Sequence, residues 1–170
     1  MTGKTLFTIG HSTHPADTFV TLLHSHDIEA VADIRSSPYS RYNPQYNRET
    51  LKKTLLSSDI AYVFLGDELG ARRREAECYR NDEVDFKLVQ QLPLFLSGIE
   101  RLLRGREKMR IAIMCAEKDP LHCHRTFLVS DYLASRDVDI QHILADGDLV
   151  KHDDLVREQA STSATGDLFN

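Results

Sequence analysis

The chain has no tryptophan and little cysteine, proline or glycine: its 170 residues include three cysteines, five prolines and eight glycines. Cys78, Cys115 and Cys123 are too few for a disulfide-rich scaffold. No apolar run reaches the roughly 18 residues that a membrane helix needs, so we expect no membrane span. The N-terminal segment turns polar too early for a secretory signal peptide. These absences together predict a globular protein of the reducing cytoplasm.

Negative charge is concentrated toward the C-terminus. Residues 137–170 contain eight acidic side chains against Lys151 and Arg157, a balance of −6, so the overall charge of −5 leaves residues 1–136 at +1. A local basic surface is therefore compatible with the acidic composition. Residues 35–53 illustrate it, because they contain five basic side chains and only one acidic side chain, that of Glu49.

Short apolar runs alternate with amphipathic segments along the chain. Runs of strand length occupy residues 6–9, 30–34, 61–65, 110–115 and 140–145, and helical spacing marks residues 15–26, 48–58, 86–103 and 124–135. Pro93 should kink the third helix or start it afresh. The alternation predicts an α/β fold, a single domain over residues 1–160 with a mostly parallel five- or six-stranded sheet flanked by helices. The small, polar residues 161–170 predict a flexible C-terminal tail.

Polar side chains follow the carboxyl ends of the predicted strands, where parallel sheets bind ligands. His11 and Ser12 follow the first strand, and we expect His11 to move protons and Ser12 to contact substrate. Asp33 and Arg35 follow the second strand and are predicted to bind substrate. Asp67 follows the third strand, where it would orient a base or act as a second acid–base group.

The densest group of reactive side chains lies between the fourth strand and the next helix. A thiol at a helix N-terminus beside a guanidinium and an imidazole should have a lowered pKa, which favours the thiolate. Cys123, His124 and Arg125 occupy such a position, and the free N–H groups with Arg125 would hold an anion. Cys115, at the strand end, is by itself better explained as a small buried side chain. The hypothesis takes Cys123 or Cys115 as nucleophile, His124 as proton carrier and Glu117 as an orienting or second acid–base group.

The same segment also offers four candidate zinc ligands: Cys115, His122, Cys123 and His124. Their spacing does not match the usual chelate loop of two to four residues. Adjacent helical residues point about 100° apart, so three neighbours do not converge easily on one ion. Zinc is the weaker interpretation, and no cofactor is predicted.

The loop after the second predicted strand combines arginine with tyrosine. Arginine binds phosphate and aromatic rings stack on bases, which is how single-stranded nucleic acid or nucleotides are held. Tyr39, Arg41 and Tyr42 are therefore candidate substrate-binding residues. An ordinary solvated connection whose tyrosines pack over the sheet explains the loop equally well.

Four segments together carry a family resemblance: TIGHS at residues 8–12, DIRSSPYS at 33–40, FLGDELG at 64–70, and CAE at 115–117 with CHR at 123–125. In combination they resemble a bacterial and archaeal family known as domain of unknown function 488. The resemblance extends over residues 8 to about 147. It implies a small α/β domain with a pocket formed by these segments, and it implies no established activity.

The C-terminal Asp167, Leu168 and Phe169 resemble the end of short bacterial peptides that dock on the DNA sliding clamp. The match is three residues long and lacks the expected glutamine. The apolar pair could equally cover the surface of the domain itself. Clamp binding through Leu168 and Phe169 is a hypothesis on this basis.

The leading hypothesis is an intracellular enzyme acting on an anionic substrate that bears a phosphate or resembles a nucleotide, with Arg35 and Arg125 binding the anion. The alternatives are a nucleic-acid-binding accessory module and a zinc-stabilised domain without catalysis. No glycine-rich dinucleotide or phosphate loop supports a nicotinamide cofactor or ATP. His142 and His152 lack reactive sequence neighbours, so we expect them at the surface or as caps.

Overall fold

The computed structural model describes residues 4–166, with side chains described through residue 162. The strands in this part of the chain are β1 (Leu6–Gly10), β2 (Ala30–Asp33), β3 (Ala61–Phe64), β4 (Tyr79–Arg80), β5 (Glu83–Val84), β6 (Ile111–Cys115), β7 (Ile140–Ile143) and β8 (Leu149–Lys151). The α-helices are α1 (Ala16–Ser25), α2 (Arg48–Leu56), α3 (Gly66–Leu69), α4 (Phe86–Val89), α5 (Pro93–Arg106), α6 (Asp131–Ala134) and α7 (His152–Gly166). A π-helix covers Arg125–Ser130, and short 3₁₀ helices cover Pro44–Tyr46, Ala76–Cys78 and Pro120–His122.

A six-stranded sheet forms the centre of the fold, in the order β3-β2-β6-β1-β7-β8. The first five strands in that order pair in parallel, and β8 pairs antiparallel with β7 at one edge. The central strands β1 and β6 are buried at every position, as expected of strands covered on both faces. The predicted α/β fold with a mostly parallel sheet is confirmed.

Helices cover both faces of the sheet because alternate strand residues point to opposite sides. On one face, Phe7, Ile9 and Met114 pack with the apolar sides of α1 and α2. On the other face, Ile113 and Cys115 pack with α5, the π-helix and α6. The side chain of Cys115 therefore lies on the α5 and π-helix face of the sheet.

The helix predicted over 86–103 is divided as expected, because α5 begins afresh at Pro93, which cannot donate a backbone hydrogen bond inside a helix. The structure differs from the predicted elements in three places. The helix predicted over 124–135 is a π-helix followed by α6. The edge strand β8 and the β4–β5 hairpin are too short to stand out as apolar runs. Helix α7 includes residues 161–166, which the sequence assigned to a tail; Leu168 and Phe169 lie outside the described residues.

No helix within residues 4–166 combines the length and apolar character that crossing a membrane requires.

Candidate functional site

The candidate site lies where β1 and β6 end side by side. Gly10 and Cys115 are register partners there. The pairing continues past them, since the His11 N–H donates to the Cys115 carbonyl at 3.0 Å. The chain leaving β1 enters α1 on one face of the sheet, whereas the chain leaving β6 reaches the π-helix on the other face. Neighbouring strands whose connections leave on opposite faces open a crevice, the usual ligand position in such sheets.

Cys115 and Cys123 meet in this crevice with their Sγ atoms in bonding contact. Both side chains are buried. Their Cα atoms are 7.5 Å apart, slightly more than the roughly 4.4–6.8 Å usual for disulfides. The two side chains are therefore close enough to exist as a dithiol or as a disulfide.

Arg125 is fully buried and directs its guanidinium at the end of β6. Nη1 donates to Cys115 Sγ at 2.9 Å and to the Glu117 carbonyl at 2.6 Å, and Nη2 donates to the Lys118 carbonyl at 3.3 Å. Nε donates to the Thr8 hydroxyl at 3.2 Å. Burial lowers the pKa of Arg125 to about 10, so the group stays charged at neutral pH. A fixed positive charge next to a cysteine sulfur favours the thiolate over the thiol.

Gly10 makes room for this arrangement because it has no side chain. A Cβ at this position would collide with the Glu117 carbonyl and would come within 2.8 Å of Arg125 Nη1. Close approach between two backbone segments is a common reason for glycine in a strand. The loop after β6 can thus fold back over the end of β1.

A buried chain of hydrogen bonds extends from Arg125 to the far side of the domain. The Thr8 hydroxyl lies 2.6 Å from His142 Nδ1, His142 Nε2 lies 3.0 Å from His152 Nδ1, and His152 Nε2 lies 2.7 Å from Asp131 Oδ1. Burial, with the nearby His152 and Arg125, lowers the pKa of His142 to about 3. His142 is therefore neutral, and both of its ring nitrogens are in hydrogen bonds.

His124 bridges β2 and the cysteine pair. Its Nε2 donates to the Ile34 carbonyl at 3.1 Å, and its Nδ1 faces Cys123 Sγ at 3.9 Å. Burial lowers the pKa of His124, so the ring is neutral at pH 7. A neutral ring that donates from Nε2 presents an unprotonated Nδ1 to the Cys123 thiol.

Arg35 is held by a second set of contacts at the end of β2. Its guanidinium donates from Nε and Nη2 to the two carboxylate oxygens of Asp33 at 2.9 and 2.8 Å, and Nη2 also donates to the Tyr46 carbonyl at 2.8 Å. Tyr62 donates its hydroxyl to the same carboxylate at 2.7 Å. Nη1 of Arg35 lies 3.3 Å from His11 Nε2. The buried charges of Asp33 and Arg35 are thus paired and satisfied, as buried ions must be.

His11 contacts Arg35 and is itself held by two further contacts. Its Nδ1 donates to the Ser12 carbonyl at 2.8 Å, and its ring stacks on Tyr46 with centroids 4.1 Å apart. Burial lowers the pKa of His11 to about 4, so it is neutral at physiological pH. Its Nε2 then accepts from Arg35, which fixes the tautomer.

Two adjoining clefts open over these groups. The smaller, of about 210 Å³, is lined by Arg35, Ser36, Ser37, Ala71, Arg72, Cys115, Ala116, Glu117 and His124. The larger, of about 480 Å³, is lined by Ser36, Ser37, Gly66, Asp67, Arg72, Arg73, Arg74, Glu75 and Leu94. Because the clefts share Ser36, Ser37 and Arg72, one elongated molecule can extend through both.

Comparison with known proteins identifies the family. The model of a family described as domain of unknown function DUF488 matches residues 15–133. The chain belongs to the DUF488 family. No curated protein and no solved structure matches the chain. The matched range includes Arg35, both paired cysteines and Arg125, but not β1 or the two histidines of the buried hydrogen-bond chain.

Several predicted residues of this DUF488 domain meet at the smaller cleft: Arg35, Cys115, Glu117 and His124 line it, and Cys123 and Arg125 lie directly behind it. Asp67 lines the larger cleft instead. His11 and Asp33 contact Arg35 rather than either cleft. The Ser12 backbone N–H donates to the Ala116 carbonyl. Ser12 is not among the residues that line either cleft.

In the loop after β2 of the DUF488 domain, Tyr39, Arg41 and Tyr42 are exposed and line neither cleft. Tyr42 is 78% exposed with the Arg41 guanidinium over its ring, 5.0 Å from the centroid. Tyr39 is also exposed and donates its hydroxyl to Glu49 at 2.9 Å. Tyr46 of the same loop is buried against His11. The loop thus has a buried anchoring part and an exposed aromatic part.

The four zinc candidates are not gathered around one point. His122 is exposed and pairs with Asp119 at 3.0 Å, away from the cysteine pair. Among residues 4–162 no group of three or more histidine, cysteine or acidic side chains is arranged to hold a metal ion.

Sequence reasoning missed the hydrogen-bond chain behind Arg125. His142 and His152, predicted at the surface or as caps, are both buried, because strand pairing places His142 opposite Thr8 in the sheet. A histidine between Ile140 and Ile143 in a strand predicted to be covered by helices was the available signal, since a buried imidazole requires hydrogen-bond partners. Asp131 carried no comparable signal.

Proposed function

We propose that this DUF488 protein is an enzyme in which Cys115 acts as a nucleophile on an anionic substrate bound in the two clefts. The observation that carries the proposal is the buried guanidinium of Arg125 donating to Cys115 Sγ at 2.9 Å, at a residue that lines the smaller cleft. An arginine in this position favours the reactive thiolate. A cysteine that only filled core space would need no such partner.

The geometry supports Cys115 rather than Cys123 as the nucleophile. Cys115 lines the smaller cleft and accepts from the guanidinium. Cys123 is not among the cleft-lining residues and faces His124 instead. His124 would accept a proton from the Cys123 thiol, which its free Nδ1 faces.

Arg72 is best placed to bind an anionic group of the substrate. Its side chain is exposed, lies where the two clefts join, and has no hydrogen-bond or ion-pair partner among the described residues. The guanidinium donors of Arg35 and Arg125 are occupied by partners inside the protein. Their positive charges still attract an anion to the clefts. Phosphate groups, whether free or part of a nucleotide, fit this combination of charge and the Ser36 and Ser37 hydroxyls.

The test is protection of Cys115 from alkylation, measured peptide by peptide with mass spectrometry on reduced protein. We expect iodoacetamide to modify Cys115 below pH 8 and inorganic phosphate to slow the reaction at constant ionic strength. Arg72→Ala should remove most of the protection. Arg74→Ala, the matched control, should retain it because Arg74 lines only the larger cleft. A Cys115 that reacts no faster than the buried Cys78 would contradict the proposal.

The exposed tyrosines favour a second candidate function, binding of single-stranded nucleic acid. Tyr39 and Tyr42 offer aromatic faces beside Arg41, the combination that stacks bases and contacts phosphates. Fluorescence anisotropy with a labelled oligonucleotide tests this. Binding should weaken steeply with added salt and should be weaker in Tyr42→Ala than in wild type. Affinity that neither salt nor the substitution changes would contradict this second function.

A further inference from the structure

We infer that Cys115 and Cys123 form a redox pair and that the cleft accepts a small anionic disulfide as its substrate. This rests on the proposed function, because Cys115 is the attacking sulfur in both. It adds the substrate class and the role of Cys123 as the resolving cysteine.

The placement of the two sulfurs separates their roles. Cys115 is one of the residues that line the smaller cleft, whereas Cys123 is not, and its Sγ contacts Cys115 Sγ. The Arg125 backbone N–H donates to Cys123 Sγ at 3.4 Å, and His124 Nδ1 faces the same sulfur. Each sulfur thus has its own activating group: the guanidinium for Cys115, and an imidazole with a backbone donor for Cys123.

A second sulfur in contact with the nucleophile restricts the chemistry. If the substrate left an acyl or phosphoryl group on Cys115, water would have to remove it and Cys123 would contribute nothing. If the substrate left a sulfur on Cys115, Cys123 could attack Cys115 Sγ and release that sulfur as a thiolate. A resolving cysteine therefore indicates a mixed-disulfide intermediate and hence a disulfide substrate.

The exchange proceeds in two balanced steps. The Cys115 thiolate attacks one sulfur of the substrate disulfide, forming a mixed disulfide and expelling the other half as a thiolate. The Cys123 thiolate, its proton taken by His124, then attacks Cys115 Sγ, which forms the Cys115–Cys123 bond and expels the second half. The substrate disulfide gains two electrons and becomes two thiols, and the protein dithiol loses the same two electrons and two protons.

The experiment exposes fully reduced protein to oxidised glutathione, an anionic disulfide, and identifies every cysteine product by mass spectrometry. We expect the wild-type protein to form the Cys115–Cys123 disulfide and to retain no glutathione. Cys123→Ser should trap glutathione on Cys115, and Cys115→Ser should form neither product. Cys78→Ser is the matched control and should behave as wild type, since Cys78 is buried away from the pair. Cystamine, a cationic disulfide, should react about tenfold more slowly than oxidised glutathione because like charges repel at the cleft.

The outcomes distinguish the inference from the proposed function. Glutathione retained on Cys115 of the wild-type protein would refute the redox pair while leaving Cys115 a nucleophile. A Cys115 that reacts with neither disulfide but is alkylated readily below pH 8 would refute the disulfide substrate alone. A Cys115 inert to all three reagents would overturn both. Circular dichroism of each variant establishes that it is folded, and Cys123→Ala provides a second resolving-cysteine variant.

A second inference rests on the separate observation of the buried hydrogen-bond chain. We infer that Thr8, His142, His152 and Asp131 are positioning residues for Arg125. The ionised Asp131 carboxylate can only accept, so His152 donates to it, His142 donates to His152, and the Thr8 hydroxyl donates to His142. The Thr8 oxygen is then left to accept from Arg125 Nε, which fixes the plane of the guanidinium against Cys115.

In this direction every donor of the chain has an acceptor. Each imidazole then donates from Nε2, and the partly exposed Asp131 sets that tautomer from the surface. If Asp131 becomes an amide, its NH₂ group can donate to His152 and reverse the hydrogen bonds as far as Thr8. The Thr8 oxygen would then accept from both His142 and Arg125, and its own proton would have no acceptor among the partners of this hydroxyl. A buried donor without an acceptor weakens the support of the guanidinium.

The test compares Asp131→Asn with Asp153→Asn, which removes the same charge from an exposed residue beside His152. We expect Asp131→Asn to raise the pH midpoint of Cys115 alkylation by about one unit. Asp153→Asn should leave the midpoint unchanged, and circular dichroism should show that both variants are folded. Equal midpoints in all three proteins, or equal shifts in both variants, would refute the positioning role. Restoration of the midpoint in Asp131→Glu would support it further.

Discussion

Replacing Arg125 with lysine should destabilise the protein strongly although the charge is kept. The guanidinium donates to Cys115 Sγ, the Glu117 and Lys118 carbonyls and the Thr8 hydroxyl. A single ammonium cannot reach groups that lie in different directions, so we expect about two acceptors to lose their donor. At about 1–3 kcal/mol for each buried group left unsatisfied, the free energy of unfolding should fall by about 2–6 kcal/mol.

Urea unfolding monitored by circular dichroism measures the effect, and for a domain of this size the melting temperature should fall by roughly 5–20 °C. The same variant should react more slowly with iodoacetamide at Cys115, because the ammonium does not stay against the sulfur. Arg136→Lys is the matched control, since Arg136 is exposed and contacts only neighbouring residues of its own segment. If Arg125→Lys unfolds within about 0.5 kcal/mol of wild type, the buried guanidinium does not hold the site together.

Three further predictions concern the groups around the site. Gly10→Ala should cost about 2–3 kcal/mol or more in urea unfolding because its Cβ would collide with a backbone carbonyl; a melting curve like that of wild type would show that the loop after β6 can move away. Asp33→Asn should cost about 3–5 kcal/mol, since it leaves the buried Arg35 without a counter-ion, and a loss below about 1 kcal/mol would contradict that pairing. The lowered pKa values of His11 and His142, about 4 and about 3, mean that the unfolded chain binds protons below pH 6.5 that the folded protein does not. The free energy of unfolding should therefore fall as the pH drops from 6.5 to about 4 and further toward 3. NMR titration should show both imidazoles neutral at pH 6. A titration midpoint near 6.5 for either imidazole would contradict the burial of that histidine.

Much of the fold was predictable because it depends on local pattern. The five long apolar runs became the five parallel strands, and Pro93 marked a helix start from its own chemistry. Strand order depends on pairing between distant segments, which no local pattern contains. The π-helix was equally hidden, since its residues have the apolar spacing of an ordinary helix.

The site likewise has features that local sequence pattern predicts and features that depend on pairing between distant segments. Strand ends in a parallel sheet share one edge, so the convergence of Arg35, Cys115 and His124 could be predicted from the sequence. The partner of each group could not, because Thr8 meets His142 only through the β1–β7 pairing and Arg125 points back under β6. The sequence also favoured Cys123 as the activated thiol from its place before a helix, whereas the guanidinium contacts Cys115.

The pH midpoint of Cys115 alkylation, measured in fully reduced protein, tests the central claim most directly. An ordinary cysteine has a pKa near 8.5, and burial together with the nearby Glu75 and Glu77 raises the pKa of Cys78. Contact with Arg125 predicts a midpoint for Cys115 well below that ordinary value, with Cys78 unreactive in the same sample. A midpoint at or above about 8.5 would show that the guanidinium does not activate the sulfur and would contradict the assignment of Cys115 as a nucleophile.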